Sequence, residues 1–218
     1  MIMKNFRNIA ALLLLSGAIN SYAGTGLKLA QGKKNIRLND AVAENSVRFL
    51  SSAPVENIEG SAKGVQGSFV LDADNLENST GTITVEVKSM KTGITKRDDH
   101  MYAKDWLDAD AYPKITYNLK KLSDIKIKSD NGRAEIFAIA EGDFTLHGVT
   151  NPIKANININ YVLENADTKK KAEGDLVKVK ATFTVPLKDF KIAGKQGIVG
   201  SKVGETIAID ASLYGTSK

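Results

Sequence analysis

Between Lys96 and Asp110 the chain reads Lys-Arg-Asp-Asp-His-Met-Tyr-Ala-Lys-Asp-Trp-Leu-Asp-Ala-Asp, its densest gathering of side chains able to move protons or recognise charge. An imidazole beside aspartates is equipment for general acid–base work, with His100 as proton carrier and Asp98 or Asp105 as its partner. The set is incomplete as a hydrolytic site, because no Gly-x-Ser-x-Gly motif and no cysteine supplies a nucleophile. The same residues have a structural reading: acids in the first turn of a short helix, favoured by the helix dipole, and an Arg–Asp pair that pins a lid. A third reading sets them against a ligand at the mouth of a cavity. The expectation is a binding protein with no catalytic residue, and the enzyme using His100, Asp98 and Asp105 on a lipid precursor is the alternative.

Metal chemistry is not expected either. His100 and His147 are the only histidines, and neither a His-x₃-His pair nor a cysteine accompanies them. His147 precedes Gly148 in a tight turn, where a histidine ring usually bonds to loop backbone. Asp72-Ala73-Asp74-Asn75-Leu76-Glu77 resembles a calcium loop only superficially, since Leu76 occupies a ligand position; it reads as a polar hairpin turn. No metal and no cofactor follow.

The elements that must position these residues are strands. Ile153, Ala155, Ile157, Ile159 and Tyr161 share one face, with Lys154, Asn156, Asn158 and Asn160 on the other. Val177 to Leu187 and Ile207 to Leu213 repeat the pattern, which is that of antiparallel strands with one wet face. The alternation predicts an all-β fold of about eight strands, near 45–51, 64–72, 81–89, 114–121, 133–146, 152–164, 175–187 and 204–215. Long amphipathic strands must hide their edges, and closure into a single eight-stranded antiparallel, lipocalin-like barrel does so. Residues 95–111 break the alternation and predict a short helical insertion, with Thr95-Lys96-Arg97-Asp98 as a capping-box-like start. Trp106, the sole tryptophan, either plugs one barrel end or walls a route for ligand.

Composition bounds the partners. The chain has 218 residues, 42% apolar and 25% charged, with a formal charge of +5, which excludes disordered and collagenous classes. Met1–Ala23 has Lys4 and Arg7, an apolar run from Ile9 to Ile19, and Ser21-Tyr22-Ala23, the pattern of a secretory signal peptide. The run is too short to span a bilayer, which needs roughly 20 residues. Without this segment the balance falls to +3, so nucleic acid is not an expected partner. The absence of cysteine excludes disulfides and a lipidated lipoprotein anchor. The expected product is one domain, residues 24–218, exported to the periplasm, without stable membrane insertion, as a monomer or homodimer.

Three stretches carry a resemblance. They are Arg97-Asp98-x-His100-Met101 with Asp105-Trp106-Leu107-Asp108 and Tyr112-Pro113-Lys114-Ile115-Thr116-Tyr117; then Gly142-Asp143-Phe144-Thr145-Leu146-His147-Gly148-Val149-Thr150; then Leu187-Lys188-Asp189-Phe190-Lys191-Ile192 with Val203-Gly204-Glu205-Thr206-Ile207. Together they resemble the signatures of the YceI-like family, over about Ser46 to Leu213. The resemblance implies an exported barrel that binds polyisoprenoid or related long-chain lipid in an elongated apolar cavity, without catalysis. The chain departs from the family pattern before Ser46, where a histidine is missing, at Ala53–Gly60, in place of a short hairpin, and at Lys188 and Lys191, where arginine and glycine are common. The residues expected to line the cavity are Phe49, Phe69, Val85, Val87, Met101, Trp106, Tyr117, Phe144, Ile157, Phe183 and Ile209. A solid barrel acting as a structural or stress partner is the remaining alternative.

Overall fold

An amphipathic strand must turn its apolar face from water, and a long one must also pair both edges. The computed structural model, which describes residues 25–218, meets both demands with one antiparallel sheet closed on itself. The Met1–Ala23 signal read from the sequence lies outside the described residues. The strands are β1 (Lys33–Leu38), β2 (Ser46–Ser52), β3 (Asn57–Lys63), β4 (Gln66–Asp72), β5 (Thr80–Glu86), β6 (Met90–Lys91), β7 (Lys114–Asp130), β8 (Arg133–Leu146), β9 (Val149–Val162), β10 (Leu176–Pro186) and β11 (Thr206–Thr216). The helix α1 (Thr95–Tyr102) lies between β6 and β7.

Register shows that six of these are halves of longer strands. β11 pairs with β2 from Ile207↔Ser51 to Ser212↔Ser46, then with β1 at Gly215↔Leu38 and Thr216↔Arg37, so β1 and β2 run end to end along one neighbour. β4 and β3 lie against β1 and β2 in the same way, and β5 and β6 against β4 and β3. With each collinear pair counted once, eight long strands follow one another in sequence order and the last returns to the first. This is the expected eight-stranded antiparallel barrel with one short helix.

β1 and β3 are additions to the expected strands. β1 has only Ile36 fully buried, in a run of lysine, asparagine and arginine, so its alternation is faint. β3 alternates Ile58, Gly60, Ala62, and the glycine conceals the pattern. It also has a steric reason: a Cβ at Gly60 would stand 2.1 Å from Cζ of Phe49, its cross-strand partner. The hairpin replaced in sequence at Ala53–Gly60 is therefore present, as the turn from β2 into β3. β7 runs nine residues beyond its expected end at 121, because irregularities after Leu119 and after Ser123 move the buried phase to Leu122 and back again.

The two barrel ends differ. At one, the connections after β4, β7 and β9 and residues 25–32 close the floor, where Ile36, Leu76, Ile136 and Tyr161 are fully buried. Leu27 N–H donates to the Ala73 carbonyl at 2.6 Å, and Leu76 N–H to that of Thr25 at 3.1 Å. The Asp72–Glu77 stretch is a polar turn here: the Asp72 carboxylate accepts from the N–H groups of Asp74 and Asn75 at 3.2 and 3.1 Å. At the opposite end lie the two longest connections between strands, residues 92–113 and 187–205, which form a first and a second lobe.

Candidate ligand-binding site

Small side chains on facing strands leave the barrel hollow. Ala140 pairs with Ala155 across β8 and β9, and Ala181 with Ala211 across β10 and β11. All four line an inner chamber of about 160 Å³. Among the described residues, Ser79 and Tyr117 bring the only side-chain hydroxyls to its walls, and both are engaged. Ser79 Oγ accepts from the Asp72 N–H at 3.2 Å, and the Tyr117 hydroxyl donates to the Ala140 carbonyl at 2.9 Å. Burial, reinforced by the charges of Glu141 and Asp143, pushes the Tyr117 phenol above its ordinary pKa and keeps it a neutral donor. An apolar void of this size holds hydrocarbon in preference to water.

An outer chamber of about 470 Å³ continues toward the open end and shares Phe49, Met90, Ile115, Phe144 and Ile209 with the inner one. Its roof comes from the two long connections. Its interior is apolar, including Leu107, Leu187, Ile192 and Val203, and its rim carries Glu56, Arg97, His100, Asp105, Lys195 and Lys202. The size falls within the usual range for a small-molecule pocket.

The first lobe is anchored by a buried carboxylate. Asp98 Oδ1 accepts from the Thr92 N–H at 2.8 Å and from its hydroxyl at 2.6 Å, while Arg97 Nε donates to Thr92 Oγ1 at 3.0 Å. Burial alone would push the Asp98 pKa up; the Thr92 bonds and the charges of Lys91 and Arg97 outweigh it and hold the carboxyl below its ordinary value. The capping box is thus displaced: Ile94 is the N-cap, without a side-chain bond, and Asp98 reaches back to Thr92 rather than to Thr95. Asp98→Ala is expected to cost about 2–3 kcal/mol locally, by leaving the Thr92 donors unpaired. Hydrogen exchange should then quicken in residues 92–106 and remain slow in β8 and β9. Because the folded pKa is lowered, the anchor is complete above the ordinary carboxylate range and fails only as pH falls through the depressed value.

The second lobe is tied down by the His147 turn. His147 Nδ1 lies 3.1 Å from the Phe190 carbonyl, which can only accept, so Nδ1 carries the proton. Asn151 Nδ2 donates to the Asp189 carbonyl at 2.7 Å. Phe190 is thereby seated against Phe144, ring centroids 5.6 Å apart. Lys191 follows at φ 56°, a left-handed position, which accounts for glycine being common there. The lobes meet where Gly194, at φ 59°, lies under the Trp106 ring; a Cβ there would come within 2.6 Å of Cη2.

The expected lining residues fall as follows. Phe69, Val85, Tyr117, Ile157 and Phe183 face the inner chamber, Met101 and Trp106 the outer, and Phe49, Phe144 and Ile209 both. Val87 lines neither: the 3₁₀ turn Val87–Ser89 breaks the alternation with Val85, and the side chain is buried in the packing beneath the first lobe. Trp106 is a wall of the outer chamber and a contact between lobes. His100 is exposed on the rim, and among the described residues no hydrogen bond joins it to Asp98 or Asp105. Also among the described residues, no three His, Cys, Asp or Glu side chains are grouped to share a metal ion. The sequence offers no signal for Lys195 and Lys202, which sit in a loop without periodicity.

The YceI-like domain model matches residues 39–214. A UPF0312 protein of Pseudomonas savastanoi pv. phaseolicola is 30% identical over 161 residues, 74% of each chain. Burkholderia cenocepacia BcnA superposes with a TM-score of 0.62 at 17% identity, covering 82% of this chain and 99% of that one. A polyisoprenoid binding domain from Saccharophagus degradans, implicated in plant cell wall breakdown, gives 0.58 at 15% identity, covering 85% and 99%.

Proposed function

The chain belongs to the YceI-like domain family, and from that premise we propose that it is an exported carrier of one long-chain, isoprenoid-like lipid, held tail-inward in the barrel. The observation that carries this reading is the run of two joined chambers, a narrow apolar inner one and a wider outer one with a polar rim. A slender tail suits the inner space better than a fused ring system does. The polyisoprenoid-binding domain named above supports the ligand class. The Met1–Ala23 pattern supports export to the periplasm. Binding here means desolvation: each buried methylene contributes about 0.8 kcal/mol. Acid–base catalysis is less favoured, because Asp98 is committed to Thr92.

Trp106 offers a direct reporter, being the only tryptophan and a wall of the outer chamber. Titration with a series of n-alkanols is expected to tighten binding by about fourfold per added methylene until the inner chamber is filled. Affinity independent of chain length would remove the reading.

A further inference from the structure

The rim of the outer chamber is not evenly charged. Arg97 is engaged: its Nη1 lies 3.5 Å from Glu56 Oε2, and its other donors serve Thr92 Oγ1 and, at 3.3 Å, the Thr92 carbonyl. That pair cancels in charge. Of the remaining rim groups, Lys195 and Lys202 are cations with no ion pair among the described residues, facing a single unpaired carboxylate, Asp105. Both lysines come from the second lobe, which Trp106 and Gly194 hold against the first. The apolar chambers open directly beneath them. A molecule with its tail in the barrel therefore presents its head to two uncommitted ammonium groups.

We propose that the site selects amphiphiles with an anionic head, a phosphate or carboxylate, and that Lys195 and Lys202 are the residues that do so. The inference rests on the lipid-carrier reading and names the head-group chemistry that reading leaves open. Both lysines are exposed, and exposed lysines gain modestly from such contacts, which salt weakens.

The test compares farnesyl phosphate, farnesol and farnesylamine on the full chain, read by Trp106 fluorescence at low and high salt. The expected order is phosphate, then alcohol, then amine, with phosphate about tenfold tighter than alcohol at low ionic strength and the margin shrinking in salt. The Lys195→Gln/Lys202→Gln double variant should bring the phosphate-to-alcohol ratio close to one. Lys188→Gln, on the same loop but outside the chamber, should keep the wild-type ratio. Inorganic phosphate at millimolar concentration should not displace farnesyl phosphate; displacement would make this a free-anion site and overturn the proposal. Equal affinity for phosphate and alcohol, tighter binding of the amine, or an unchanged ratio in the double variant would each overturn it too, while leaving the carrier reading standing. Failure of all three farnesyl compounds to bind would instead remove the carrier reading itself.

Discussion

Ala211→Phe is expected to leave the barrel folded and to weaken binding of a long single-chain amphiphile by more than about a thousandfold. Ala211 faces the inner chamber opposite Ala181 on β10 and Val47 on β2. The chamber holds about 160 Å³. A void of about that size accepts a benzene ring, so an introduced phenyl group occupies most of it. A tail that formerly reached past this level is excluded by some six methylenes, and at about 0.8 kcal/mol each the loss is roughly 5 kcal/mol. Short alkanols confined to the outer chamber should bind as before. Calorimetric titration of long and short alkanols against both proteins checks the result; equal affinity of the variant for the long chain would mean that the tail never enters.

Tyr161→Ala has the largest expected effect on stability, about 3–5 kcal/mol. The side chain is fully buried in the floor, flanked in register by Ala134 on β8 and Val177 on β10. Its hydroxyl donates to the Asp175 carboxylate, which also accepts from the Glu164 N–H at 2.9 Å. Truncation removes the ring from the closed end and leaves Asp175 without its phenol. At about 2–4 °C per kcal/mol for a chain of this size, melting should fall by about 10 °C. Tyr161→Phe keeps the ring and loses one hydrogen bond, so about 1 kcal/mol is expected. Thermal melts of the two variants separate packing from hydrogen bonding.

The barrel was legible because its strands keep one apolar phase for long distances, as Val177 to Val185 and Ile153 to Tyr161 do. Legibility failed where local geometry resets that phase. The 3₁₀ turn at Val87 removed a residue from the lining, and the irregularities in β7 hid Leu122, Ile125 and Ile127. β1 escaped because pairing to β4 and β11, rather than its own hydrophobicity, makes it a strand. The lobes were harder still. Trp106 and Gly194 meet across 88 positions of sequence, and no periodicity announces such a contact. Likewise the alanines facing inward on β8, β9, β10 and β11 are small side chains in the apolar phase of each strand, and hollow and tightly packed barrels share that pattern until the strands are placed.

Mass analysis of the intact complex tests most directly whether a lipid tail occupies the barrel. The full chain, expressed in a host that exports it, is transferred intact to the mass spectrometer and then stripped with organic solvent. A one-to-one adduct of the mass of a single long-chain lipid is expected, released by solvent and missing from Ala211→Phe prepared alongside. A wild-type protein carrying no lipid, and taking up none when offered farnesyl phosphate or long alkanols, would contradict occupancy of the barrel.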